Sequence, residues 1–159
     1  MRAKLIYNPV SGNGVFKSNL DYIIDRFQSK GIKLVPYRTG KPEKLQKMLA
    51  GLNREEYNLI IAAGGDRTVN QVINGLMKNN IDLPLGIIPA GTANDFAYNF
   101  KLPGSIERAC DVILANHYTL CDVGQVNDHY FINIASGFTG HERKVGRGIP
   151  PGCTLCFGR

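Results

Sequence analysis

Leu59-Ile60-Ile61-Ala62-Ala63-Gly64-Gly65-Asp66-Arg67-Thr68-Val69-Asn70 decides the fold. The apolar run from Leu59 to Ala63 reads as a central strand buried on both faces, because a half-exposed strand would alternate apolar and polar residues. The two glycines end it in a turn. Val69, Val72, Ile73 and Leu76 then recur at i, i+3, i+4 and i+7, the spacing of a helix with one buried face. A strand that feeds straight into such a helix is the repeating unit of a parallel α/β sheet.

The same alternation extends in both directions. Strand-like runs at residues 3–7, 33–37, 58–62 and 83–88 are separated by two further helical patterns, Leu20, Ile23, Ile24, Phe27 and Leu45, Met48, Leu49, Leu52. The order βαβαβαβ predicts an α/β fold in three layers, a mostly parallel sheet with helices on both faces. A fourth helix is expected after Pro103-Gly104, with Ser105 as N-cap and Ile106, Ala109, Cys110 and Ile113 on its buried face. Residues 118–126 and 129–136 read as a hairpin turned by Asn127-Asp128. Beyond it, residues 137–159 hold six glycines and two prolines with no period of a helix or strand. The chain therefore divides into a domain over 1–136 and an irregular tail over 137–159.

Charge and cysteines narrow the class. The net charge is +6, of which the tail supplies +3 (Arg143, Lys144, Arg147 and Arg159 against Glu142). A mildly basic domain without a basic stripe or aromatic ladder suits a nucleotide or an anionic membrane surface and argues against nucleic acid. Cys110 and Cys121 read as buried reduced thiols, and Cys153 and Cys156 form a CxxC without the second pair that a zinc site needs. His117, His129 and His141 have no ligand spacing. No run reaches the roughly 20 apolar residues of a spanning helix, and Met1-Arg2-Ala3-Lys4 enters a strand pattern directly. A cytoplasmic protein, peripheral at a membrane, is the expectation.

Three strand ends carry small, amide-rich loops: Asn8-Pro9-Val10-Ser11-Gly12, Gly64-Gly65-Asp66-Arg67-Thr68-Val69-Asn70 and Ala90-Gly91-Thr92-Ala93-Asn94-Asp95. In a parallel sheet, ligands sit beyond the carboxyl ends of the strands, where loops open into helix N-termini with unpaired amides. Glycine lets backbone approach phosphate oxygens or adopt positive φ, and Ser or Thr adds a hydroxyl. Any one loop also fits an ordinary turn. Asp66 among such amides suggests a shared cation. There is no Walker A sequence, no GxGxxG and no Ser/His/Asp hydrolase signature, so neither a standard P-loop nor a dinucleotide fold is expected.

Over residues 2–136 these motifs resemble the diacylglycerol kinase catalytic domain, most closely that of bacterial soluble diacylglycerol and related lipid kinases. Asn8 to Gly12 looks like the family's NPxSG, Gly64 to Asn70 like GGDGTxN, and Gly91 to Ala97 like GTANDFA. NAD kinases and phosphofructokinases share GGDGT, and the third motif favours lipid kinases. The resemblance implies an NAD kinase/diacylglycerol kinase-like N-terminal domain that phosphorylates a lipid hydroxyl at a membrane surface with ATP and Mg²⁺. Asn8, Pro9, Ser11, Gly12, Gly64, Gly65, Arg67, Thr68, Asn70, Gly91 and Thr92 would surround the nucleotide, and Thr39 joins them because a family threonine sits there. Asp66 would be the catalytic and metal-linked residue, acting on magnesium-bound phosphates or on the substrate hydroxyl. Asn94 and Asp95 would organise the substrate side.

Two departures accompany the resemblance. Where the family has glycine this chain has Arg67, which obstructs the cradle if the position needs positive φ or close phosphate approach, or contacts phosphate itself. Family members also continue into a second, mostly β domain, which the tail replaces. A one-base shift in the codons for His141 to Gly148 permits a polar continuation, so truncation by frameshift and impaired turnover are expected. The alternatives are an NAD-kinase-like phosphotransferase and a non-catalytic ATP-binding lobe. A homo-oligomer paired through the edges of the hairpin is a further expectation.

Overall fold

The computed structural model describes residues 1–132 and the backbone of 154–155. Four parallel strands, β1 (Arg2–Tyr7), β2 (Lys33–Arg38), β3 (Leu59–Gly64) and β4 (Leu85–Pro89), lie in the order β2-β1-β3-β4. Every residue of β3 is buried, as a central strand covered on both faces requires.

The period of two sorts β3 between two cores. Ile60 and Ala62 pack with Leu45 and Leu49 of α3 (Pro42–Ala50) and with Val69, Val72, Ile73 and Leu76 of α4 (Asp66–Lys78). Leu59, Ile61 and Ala63 face Phe16 of α1 (Val15–Ser18), Ile23 and Phe27 of α2 (Leu20–Gln28), and Ile106, Ala109, Cys110 and Ile113 of α6 (Ile106–Leu114). Ser105 caps α6 as expected, accepting from the Arg108 amide at 3.3 Å. The expected three layers are therefore present, with α1, α2 and α6 on one face and α3 and α4 on the other.

This distribution of helices creates the site. The chain moves from β1 to β2 in one direction, and from β2 over β1 to β3 in the other. Right-handed crossovers then put α2 on one face and α3 and α4 on the other. The loops after β1 and β3 diverge to opposite sides of the sheet and leave a crevice between them, the topological switch point where open α/β sheets bind ligands.

Local expectations needed three corrections. First, α3 ends at Ala50, so Leu52 packs on the core from beyond the helix rather than from its face. Second, residues 118–126 are not one strand. They split into β5 (Thr119–Leu120) and β6 (Gly124–Val126), and only β6 forms the hairpin, with β7 (His129–Phe131) and Asn127 at φ 51° in the turn. Third, β5 pairs antiparallel with the backbone of β8 (Thr154–Leu155), which runs parallel to β4 at Leu85. That pairing spans more than 30 residues of sequence, so no local pattern announces it. The rest of the tail expected to be irregular, the end of the hairpin over 133–136, Cys153, Cys156 and His141 lie outside the described residues.

Cys110 and Cys121 are both buried, and Cys110 is a free thiol. Burial, with Asp111 and Glu107 adding to it, pushes the Cys110 thiol up to about 12. Because the thiolate is the reactive form, Cys110 should resist alkylation in the native protein at pH 8 and react only on unfolding, as peptide mass mapping would show. Rapid native modification of Cys110 would contradict its placement. Among the described residues, no helix is long and apolar enough to cross a membrane.

Candidate functional site

The sheet ladder continues one step past the strands and fixes the level of the loops. Asn8 donates its amide to the Ala63 carbonyl at 3.0 Å, Thr39 to Tyr7 at 2.8 Å and Ala90 to Gly64 at 2.9 Å. Four neighbouring strands thus release their chains at one edge. In the first loop the Asn8 side chain accepts from the Val10 amide at 3.1 Å, an Asx turn that reverses the chain over buried Pro9. Gly12 follows at φ 54°, and a Cβ there would stand 2.6 Å from the Ala90 carbonyl oxygen. The first loop therefore presses on the start of the third.

The second and third loops cross glycine on glycine. A Cβ on Gly65 would lie 3.2 Å from the Gly91 Cα, and one on Gly91 would collide with the Gly65 Cα and stand 2.7 Å from Asn94 Oδ1. Neither glycine has positive φ, so the requirement is close approach rather than backbone conformation. Gly64 makes room for a side chain: a Cβ there would meet Thr68 Oγ1 at 2.7 Å. Thr68 is 4% exposed, and its hydroxyl accepts a long contact from Asn8 Nδ2 at 3.5 Å, across the crevice between β1 and β3.

Asp66, the first residue of α4, ties the second loop to the third. Its Oδ1 accepts from the Phe96 amide at 2.9 Å and its Oδ2 from the Asp95 amide at 3.1 Å. These are orphan donors of the short helix α5 (Asp95–Asn99), which the carboxylate caps from outside. Asn94 completes the turn at φ 54°, accepting from the Gly91 amide at 2.8 Å and donating to the Gly91 carbonyl at 2.9 Å. A carboxylate offers about four lone-pair directions, so two remain on Asp66 for a cation.

The result is a shallow cradle. The Thr68 and Val69 amides bond to the Gly65 carbonyl, which leaves those of Asp66 and Arg67 without an intrahelical acceptor at the positive end of the helix. Ser11 and Thr92 bring hydroxyls that make no hydrogen bond among the described residues. A cavity of about 290 Å³ adjoins the cradle between Gly12, Gly91 and Asn94 and the start of α6 at Ser105. Among the described residues no group of three or more His, Cys, Asp or Glu side chains could hold a metal on its own. Magnesium fits here as a companion of phosphate oxygens on Asp66 rather than in a cage of protein ligands.

Not every expected residue joins the cradle. Asn70 lies one turn down α4, and its Oδ1 accepts from Asn74 Nδ2 at 2.9 Å. Thr39 shares the edge, but no hydrogen bond ties its side chain to the other loops among the described residues. Arg67 is exposed in the first turn of α4, and its φ is not positive. The conformational ground for obstruction by Arg67 is thereby removed, since a helical residue carries a Cβ without strain.

Asn74 escaped the sequence reading. Its Oδ1 accepts from the Tyr130 amide at 2.9 Å and its Nδ2 donates to the Tyr130 carbonyl at 2.6 Å, so one side chain holds both backbone groups of β7 against α4. The available signal was an asparagine followed by Gly75 inside a strong helical pattern, two poor helix formers together. Gly75 lets α3 approach, since a Cβ there would collide with Leu49 Cδ1. With Asn74→Ala, the Tyr130 amide should exchange with solvent at least about tenfold faster while β3 amides keep their protection. Unchanged exchange at Tyr130 would show that the clamp does not hold the hairpin.

Comparison with known proteins agrees with this geometry. The family described as the diacylglycerol kinase catalytic domain matches residues 2–126. The chain is 42% identical over 136 residues to the diacylglycerol kinase of Staphylococcus saprophyticus, covering 86% of this chain and 45% of that protein. It is 40% identical over 135 residues to that of Staphylococcus haemolyticus, covering 85% and 41%. A crystal structure of a diacylglycerol kinase from Bacillus anthracis superposes with a TM-score of 0.69 at 31% identity, over 83% of this chain and 46% of that one. The chain thus spans less than half the length of these relatives. All three converging loops lie inside the matched stretch, and the chain belongs to the diacylglycerol kinase catalytic domain family.

Proposed function

We propose that this chain supplies the nucleotide-binding lobe of a kinase that transfers the terminal phosphoryl group of ATP to a lipid hydroxyl, with diacylglycerol as the acceptor class. The observation that carries this is the packing of Gly12 on Ala90 and of Gly65 on Gly91, which gathers three amide-rich loops into one polyphosphate cradle. The acceptor is carried over from relatives named diacylglycerol kinase.

In this scheme the α4 amides and the hydroxyls of Ser11, Thr68 and Thr92 hold the phosphate chain, and Asp66 keeps the third loop closed on the second. Asp66 would hold magnesium through its remaining lone pairs, and the ion would supply neutralisation of phosphate charge. In the transfer the lipid oxygen bonds to the terminal phosphorus, the bond from that phosphorus to ADP breaks, and the hydroxyl proton passes to water. The contribution of these residues is position and fixed charge, which suits phosphoryl transfer. Val10 and Tyr98, 75% and 83% exposed, flank the first and third loops, consistent with an acceptor that arrives in a membrane surface.

The test is incubation with γ-labelled Mg-ATP, diacylglycerol in mixed micelles and NAD together. Label in phosphatidate and none in NADP is expected. Label in NADP would replace the lipid reading, and ATP bound without label in either acceptor would leave a lobe that binds but does not transfer.

A further inference from the structure

We infer that Arg67 is a phosphate-binding residue, and that through it nucleotide affinity at this site rises with the number of phosphates. The inference rests on the nucleotide reading above and deepens it, because it assigns a discriminating contact to a side chain rather than to the backbone.

The first ground is charge left without a partner. Among the described residues the side chains of Arg67, Arg38 and Arg108 make no ion pair and no hydrogen bond, whereas Arg2, Arg26 and Arg54 bond to Glu56, Asp111 and the Asn80 carbonyl, and of the three unpaired arginines only Arg67 lies within one of the converging loops. The carboxylates beside Arg67, on Asp66 and Asp95, form no pair with it, and both oxygens of Asp66 already accept backbone amides. Position is the second ground. A cation in the first turn of a helix meets the positive end of the dipole, an unfavourable place unless an anion shares it. Bound phosphate would reverse the sign.

Direction is the third. On α4, Arg67 lies opposite the stripe of Val69, Val72 and Ile73 that faces the sheet. Helical side chains lean toward the N-terminus, which directs Arg67 to the amino end of α4, where Asp66 joins the second and third loops, on the side away from the strands. The backbone at residue 67 is helical, so the side chain stands there without strain. Phosphate held by the α4 amides is thus met from the solvent side by a planar fork that suits two phosphate oxygens. A nucleotide with one phosphate offers that fork one dianion at most. Each added phosphate brings more charge within its reach, and the gain should weaken with salt.

The experiment is calorimetric titration of the whole chain, Arg67→Gln and Arg67→Lys with Mg-ATP, Mg-ADP and AMP at low and physiological salt, with melting temperatures of the ligand-free proteins. Glutamine keeps helix propensity and a polar end and removes the charge. Arg67→Gln should bind ATP about tenfold more weakly, the size expected for losing one charge-assisted contact. Its AMP affinity should change by less than about twofold, on the same ground that a monophosphate offers little charge to lose. Arg67→Lys should recover part of the ATP affinity, and ligand-free Arg67→Gln should melt no lower than the original. Equal or tighter ATP binding by Arg67→Gln would overturn the inference and leave the cradle standing. So would equal loss for all three nucleotides with a lower melting temperature. If the original chain binds no ATP, the nucleotide reading falls and takes this one with it.

Discussion

Gly91→Ala is expected to weaken Mg-ATP binding about a hundredfold or more while the domain stays folded. Residue 91 has no positive φ, so alanine is not excluded by its own backbone. It is excluded by what lies against it: a Cβ would collide with the Gly65 Cα and stand 2.7 Å from Asn94 Oδ1. The first obstacle is backbone and cannot rotate away. The second is a side chain already tied to both backbone groups of residue 91. The second and third loops must therefore part, and losing two charge-assisted contacts to phosphate at about 1.5 kcal/mol each weakens binding about a hundredfold. Overpacking should lower stability by about 1–3 kcal/mol, less than a domain of this size has in reserve. Gly51→Ala is the control, since its Cβ would meet nothing nearer than the Lys47 carbonyl oxygen at 3.6 Å. Calorimetry with circular dichroism checks both variants, and a folded Gly91→Ala that binds ATP normally would mean that the crossing is not needed.

Asp66→Asn should have the next largest effect, on stability and on transfer together. The carboxylate now accepts from two amides at 2.9 and 3.1 Å. Asparagine offers one oxygen to that pair and sets an NH₂ group against the other donor. One amide at the start of α5 is then left unpaired, at a cost of about 1–3 kcal/mol. For about 2 kcal/mol the melting temperature falls by roughly 4–8 °C in a domain of this length. The lone pairs assigned to magnesium are weakened by the same change, so label in phosphatidate should fall below detection. Thermal unfolding and the mixed-micelle assay read the two effects separately. A variant with unchanged melting would show that Asp66 does not close the third loop.

The sheet and its long helices were legible because their signals are local. The apolar run over β3 and the periodic residues of α2, α4 and α6 each carry their own pattern, and β3 is buried throughout as that pattern requires. The loops were legible as positions at strand ends. Their glycines were less so, because the sequence supports both positive φ and close approach, and only neighbours from other loops decide between them. Gly12 needs both, whereas Gly65 and Gly91 need only room. Helix α5 was not legible at all. Five residues are too few to show a period, and its first turn depends on a carboxylate 29 residues earlier in the chain. The break in residues 118–126 was hidden for a similar reason, since β5 takes its partner from the far end of the sequence.

The central claim is that the three loops of this chain make one polyphosphate site, and amide chemical-shift mapping during a titration with Mg-ATP tests it most directly. The account predicts that the amides of Gly12, Gly65, Asp66, Arg67, Gly91 and Thr92 shift together with one midpoint, while those of α3 and the amino ends of the strands stay still. Shifts confined to a single loop, or spread over the opposite edge of the sheet, would contradict it.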